Sequence, residues 1–189
     1  MGEPTRTLVL GGARSGKSAH AESRATAEPV RYIATGRRNP TDEDWQRRIA
    51  GHRASRPTHW ITVETVTSLA TVVSQPWEGT TIVDDLGTWL TGMLDDAQAW
   101  ERPRGTIAPA VDDVVTAVAQ CSSALVLVSP EVGLSVVPES SSGRLFRDEL
   151  GLLNSRLAAV CDSVLLVVAG LALTLKEPPA DLITAKGTV

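Results

Sequence analysis

The sequence predicts an α/β fold with a mostly parallel sheet covered by helices on both faces. Three observations predict it. Short apolar, β-branched runs alternate with longer helix-compatible segments, the pattern of repeated β-α units. Several runs are continuously apolar rather than alternating, as strands buried on both faces are. The last two runs are separated by a single glycine, too little chain for a crossover, so they form an antiparallel hairpin at one edge.

Strands are predicted over residues 7–10, 30–34, 60–63, 81–83, 124–128, 163–169 and 171–175. Helices are predicted over 17–27, 42–54, 67–74, 86–97, 110–121 and 143–159. Three irregular segments, 36–41, 99–109 and 130–142, are rich in proline, glycine or serine. The chain of 189 residues has the usual length of one domain, 1–189, and is long enough to bury a core without staples. No repeat or low-complexity tract interrupts it.

A loop follows the first strand: Gly11, Gly12, Ala13, Arg14, Ser15, Gly16, Lys17, Ser18. It fits the phosphate-binding pattern G-x-x-x-x-G-K-[ST] and has the strand before it and the helix after it that the motif requires. Glycines let the backbone turn tightly, so that successive N–H groups converge on phosphate oxygens. The helix start adds free donors and a positive dipole end. Lys17 is expected at the outer phosphates and the Ser18 hydroxyl on a magnesium ion.

The net charge of -4 argues against nucleic acid as a partner. Cys121 and Cys161 lack metal or redox spacing and sit in apolar surroundings, so both are expected as buried thiols in a reducing compartment. No apolar leader precedes the first strand, and the longest apolar stretch, 164–175, is too short for a membrane span. A cytoplasmic protein with no membrane span is expected.

Two further constellations stand out. Arg47, Arg48, His52, Arg53 and Arg56 follow the acidic start Asp42, Glu43, Asp44 on one predicted helix. Cations around His52 favour the neutral imidazole, the form a nucleophile needs. Spacing alone favours a solvated basic face carrying an incidental histidine. His20 and His59 read as structural. The run Thr80–Val83 ends in Asp84 and Asp85. An aspartate there in a phosphate-loop enzyme commonly holds magnesium, while one of the pair is suited to capping the following helix. Glu64 ends another strand in the same way.

The phosphate loop resembles that of the bifunctional adenosylcobinamide kinase / adenosylcobinamide-phosphate guanylyltransferases of cobalamin assembly. Further matches fall in order at Tyr32–Thr35, Arg48–Arg53, Arg56-Pro57 with Trp60, Glu131–Gly133, Val137–Glu139, Phe146–Gly151 with Asn154, and Val167–Leu171 with Lys176. The resemblance implies a RecA-like, three-layer P-loop NTPase fold and a homotrimer. It implies phosphorylation of adenosylcobinamide by GTP or ATP, then transfer of GMP from GTP through a guanylylated histidine, matched by His52. It implies nucleotide contacts at residues 11–18, at Thr35, Gly36 and Arg37, at Arg53, Ala54, Ser55 and Arg56, and at Glu64 and Asp84, with Mg2+ on Ser18 and Asp84. Pro130 stands where the family has Asn, and Ser140–Gly143 replaces a more apolar stretch; both fall in a loop expected near the corrinoid, as are the tryptophans around Trp89. The alternatives are an enzyme of one half-reaction and a GTP-binding regulatory protein.

Overall fold

The computed structural model describes residues 5–25, 27–37, 46–47, 50–51, 56–64 and 69–177. Seven strands form one sheet: β1 (Arg6–Gly11), β2 (Val30–Ala34), β3 (Ile61–Glu64), β4 (Thr80–Asp84), β5 (Ala124–Pro130), β6 (Ser163–Val168) and β7 (Leu171–Lys176). Their order is β3-β2-β4-β5-β1-β6-β7. All neighbours are parallel except the β6–β7 hairpin. Five helices have defined bounds: α1 (Lys17–Glu22), α2 (Leu69–Ser74), α3 (Leu86–Asp96), α4 (Ala108–Gln120) and α5 (Ser141–Val160).

The sheet separates two cores. Leu8, Ile33, Val83, Leu125 and Leu127 face the side covered by α2–α5, where they meet Leu69, Leu90, Val118 and Leu153. Val9, Tyr32, Ile82, Val126 and Val167 face the side of α1, where they meet Ala21. Alternate residues of one strand thus enter different cores. This is why runs such as Leu8–Leu10 and Leu125–Val128 show no alternation of apolar and polar residues. Each fully buried leucine contributes roughly 1.5–3 kcal/mol relative to exposure.

All seven predicted strands are present, displaced by at most two residues at an end. The largest departure is α1, which ends at Glu22 rather than residue 27. The Ser23 hydroxyl donates to His20 O at 2.8 Å, and the next two amides turn back to Ala21 O and Glu22 O. The serine side chain competes for the backbone that a continuing helix would use, and the chain is released to enter β2 after Pro29. The predicted helix over 42–54 lies largely outside the described residues; Gln46, Arg47, Ala50 and Gly51 are helical. Cys161 is buried as expected, but Cys121 is only partly so, because it lies just past the end of α4. Trp89 is 1% exposed within the α2–α5 core, which removes it from any surface offered to a large substrate.

The far edge is a contrast. Every residue of β7 is exposed, with Leu171 at 76% and Leu173 at 60%. Lys176 turns back to cap the end of α5, donating from Nζ to Ala158 O, Ala159 O and Cys161 O. A second clasp lies beside it. The Arg6 guanidinium forks onto Asp162 through Nε at 3.0 Å and Nη2 at 2.7 Å. This pairing holds the Asp162 carboxyl below its ordinary range and the Arg6 guanidinium above its own.

Candidate active site

The glycine-rich loop joins the carboxyl end of β1 to α1 at the sheet centre, with β5 and β6 as its neighbours. Gly16 has φ 92°, a left-handed conformation suited to glycine, and Arg14 has φ 56°. Gly11 is required for space: a Cβ there would lie 2.4 Å from Ser15 Oγ and 2.7 Å from Val167 O. The loop is laced internally. Ser15 N–H donates to Gly12 O at 3.3 Å, and Ser15 Oγ accepts from Lys17 N–H at 3.3 Å. Lys17 is 7% exposed, and its ammonium has one long contact, Nζ to Gly12 O at 3.4 Å. A cation so enclosed, beside convergent amides, is suited to an anion such as a triphosphate.

The β6–β7 turn braces this loop from outside. Ala169 and Gly170 both have positive φ, 51° and 80°, as a two-residue hairpin turn requires. Gly170 N–H donates to Ser15 O at 2.8 Å, and a Cβ on Gly16 would meet Gly170 Cα at 3.4 Å. From the other side, Glu131 N–H donates to Gly11 O at 3.0 Å. Asn154 on α5 fixes the end of β5, accepting from Ser129 Oγ at 2.6 Å and donating to Pro130 O at 3.0 Å.

The second part of the site lies at the ends of β2 and β4. Asp84 closes β4, with Tyr32 OH donating to its Oδ2. Burial pushes the Tyr32 hydroxyl far above the usual phenol range, and the Asp84 charge adds to this. Glu22 on α1 is raised too, first by burial and then by Asp84, while Arg56 opposes the shift. Asp85 has the capping role: its Oδ1 accepts from Thr88 N–H at 2.8 Å and starts α3. Burial raises the Asp85 carboxyl, and the Thr88 amide opposes it. The two adjacent acids are thereby divided, one capping a helix and one held by a tyrosine.

Thr35 is 0% exposed; its hydroxyl donates to Asp85 O at 2.6 Å and lies 2.7 Å from Thr88 Oγ1. Gly36 is half-buried, and Arg37 pairs with Asp96 on α3. Glu64 ends β3 at the sheet edge and is exposed. Arg56 lies with its guanidinium carbon 3.5 Å from the Tyr32 ring centroid. His52, Arg53, Ala54 and Ser55 lie outside the described residues, as does Arg48. His59 sits 3.3 Å from Glu28 Oε1 on the surface, and His20 is in α1 behind the loop; neither lies in this cluster. Sequence reasoning did not single out Glu22, the Tyr32 hydroxyl or the Gly170 amide. Only the positive-φ demand of a one-glycine turn could have pointed to the last.

Residues 7–175 match the family model described as cobinamide kinase / cobinamide phosphate guanyltransferase. The chain belongs to this family. It is 37% identical over 182 residues to the bifunctional adenosylcobalamin biosynthesis protein CobU of Salmonella typhimurium, covering 89% of this chain and 98% of that protein. It is 40% identical over 181 residues to the corresponding CobP of Pseudomonas aeruginosa, covering 92% and 99%. Among solved structures it resembles an ATPase from the type III secretion system of pathogenic bacteria (TM-score 0.57, 11% identity, 98% of this chain and 62% of that one). A Pyrococcus horikoshii OT3 protein is similarly related (TM-score 0.53, 10% identity, 96% and 91%). These last likenesses concern the fold alone, a mostly parallel sheet with an antiparallel edge pair.

Proposed function

We propose that one nucleotide site serves both reactions of the family, with His52 carrying the guanylyl group between them. Family membership makes the chain a cobinamide kinase and cobinamide-phosphate guanylyltransferase acting with GTP or ATP. The observation that carries the single-site reading is the position of Arg56. It packs on Tyr32, whose hydroxyl binds Asp84, at the same end of the sheet as the phosphate loop. Four residues of chain span at most about 14 Å, so His52 is tethered within that distance of Arg56.

In the first reaction the aminopropanol hydroxyl oxygen of adenosylcobinamide attacks the γ-phosphorus, the bond to the nucleoside diphosphate breaks, and the hydroxyl proton is lost. In the second, an imidazole nitrogen of His52 attacks the α-phosphorus of GTP and pyrophosphate leaves. An oxygen of the cobinamide phosphate then attacks the guanylyl phosphorus, breaking the P–N bond and giving adenosylcobinamide-GDP. A neutral imidazole serves as nucleophile, and its protonated form as leaving group. Positioning and charge stabilisation dominate such transfers. Lys17 and the loop amides would hold the phosphates. Glu64, Gly36 and Arg37 and the segment Arg53, Ala54 and Ser55 would complete the nucleotide pocket, with Arg56 holding that segment against Tyr32.

The donor set fits magnesium: one carboxylate, Asp84, and one hydroxyl, Ser18. Among the described residues no cluster of three or more His, Cys, Asp or Glu forms a protein cage. Magnesium is usually held by one or two carboxylates with phosphates and water. When bound it would neutralise charge on the triphosphate. The free thiols of Cys121 and Cys161 suit a cytoplasmic setting. The apolar edge of Val168, Leu171, Leu173 and Leu175 suits burial in a homotrimer. Residues 1–189 are read as one domain.

The test uses GTP labelled at either end. Label from the γ-phosphate is expected on cobinamide, and label from the α-phosphate on the protein, lost in His52→Ala. Transfer of γ-label alone would mark a kinase only. Binding with neither transfer would mark a regulatory protein.

A further inference from the structure

Tyr32 is clasped by one short stretch of chain that follows directly on the His52 segment. Arg56 lies over its ring at 3.5 Å. Trp60 stacks on it with centroids 6.3 Å apart and planes 26° apart. A tight turn brings the two together, Trp60 N–H donating to Pro57 O at 3.1 Å. The ring itself cannot follow a moving partner. It is 0% exposed, belongs to the core beneath α1, and is tied at its hydroxyl to Asp84.

Arg56 is committed to this ring. Its Nε and Nη1 have neither solvent nor a hydrogen-bond partner; the negative face of the tyrosine and the charge of nearby Glu22 balance the cation there. Those nitrogens are closed to a phosphate in this arrangement. The contact therefore fixes chain position rather than gripping nucleotide. At the other end of the same segment, Arg37 Nη2 donates to Gly92 O at 3.2 Å and pairs with Asp96 on α3. The segment between residues 37 and 56 is thus held at both ends by arginines on packed elements.

We propose that Tyr32 is a positioning residue for guanylyl transfer: its ring anchors Arg56 and so the chain end nearest His52. The proposal rests on the reading of His52 as the guanylylated group. Attack on the α-phosphorus requires an in-line approach, and small displacements of a reacting group are costly. Phosphorylation of cobinamide does not use His52, so the anchor acts on one reaction of the two.

The test compares the ratio of guanylyl-transfer rate to phosphorylation rate in three variants. Tyr32→Phe keeps the ring and loses the bond to Asp84; both rates are expected to fall together, leaving the ratio unchanged. Tyr32→Leu keeps apolar bulk and loses the aromatic face; the ratio is expected to fall about tenfold. Arg56→Met keeps the stem and loses the cation; it should lower the ratio similarly, and it serves if the leucine variant does not fold. Hydrogen exchange at residues 56–60 is expected to quicken in the Leu and Met variants and not in Phe. A constant ratio in Leu and Met overturns the proposal, as does a fall in Phe equal to that in Leu. If the wild type takes no label from GTP, the His52 reading falls instead. Exchange then decides the anchor: quickened in Leu and Met it stands, unchanged it is overturned.

Discussion

The phosphate loop and the Tyr32 cluster sit at the same end of one sheet and are built in opposite ways. The loop is a contiguous run of eight residues whose conformation is set by its own glycines and its own hydrogen bonds, with the Gly170 turn as an outer brace. The cluster draws Glu22 from α1, Tyr32 from β2, Asp84 from β4 and Arg56 from the chain before β3. The loop works by main-chain geometry, which tolerates few changes of shape. The cluster works by charge and burial among side chains, and each member tunes its neighbours. Binding of phosphate is therefore expected to fail all at once when the loop is altered. The chemistry built on the cluster should fail in separable parts.

The largest expected effect is at Lys17. Lys17→Ala is expected to lower both reactions by roughly a thousandfold, as loss of a transition-state charge contact does, with melting temperature little changed. Steady-state rates with γ- and α-labelled GTP measure this, and loss of only one reaction would break the idea that a single loop serves both. Next comes the loop's shape. Gly11→Ala places a methyl against Val167 O and Ser15 Oγ; destabilisation of about 1–3 kcal/mol is expected, together with lost nucleotide affinity. Urea denaturation and equilibrium binding would show it, and full affinity would mean the loop is not held as tightly as these contacts require.

Smaller effects belong to the helix start and the far corner. Asp85→Ala removes the cap of α3 and is expected to cost about 1 kcal/mol, while Asp84→Asn should reduce turnover more than stability. The reverse order would exchange the roles assigned to the two acids. At the Arg6–Asp162 clasp, the Asp162 carboxyl is held below its ordinary value of 3.8 by the guanidinium. A depressed carboxylate contributes stability that is present above the unfolded value and lost as pH falls through the folded one. The stability difference between wild type and Asp162→Asn is thus expected to be constant at neutral pH and to shrink below about pH 4. Melting curves across that range check the sign.

The same contrast explains what could be read from the sequence. The loop is legible because its information is local, and the strands because short apolar or β-branched runs mark each central one. Asp84 was legible as an acid at a strand end. The sequence leaves its neighbour's role open between metal and cap, and Thr88 decides it, since Asp85 accepts from that amide. The Tyr32–Asp84 bond was not legible, since it joins positions 52 residues apart and depends on β2 lying beside β4. The predicted α1 is longer than the observed one because Ala25 and Ala27 favour helix, while Ser23 ends it from within. Trp89 looked available for a substrate only because a sequence does not show which face of α3 is buried. Its place in the core follows from the packing of α3 on the sheet.

The central claim is that GMP is carried on His52, within reach of a GTP held by the phosphate loop. Peptide mass mapping after incubation with GTP tests it most directly. The account expects a guanylyl adduct on the peptide containing His52 in the wild type, and none in His52→Ala or Lys17→Ala. An adduct on another residue, or wild-type turnover of cobinamide phosphate with no adduct trapped at any time, would contradict it.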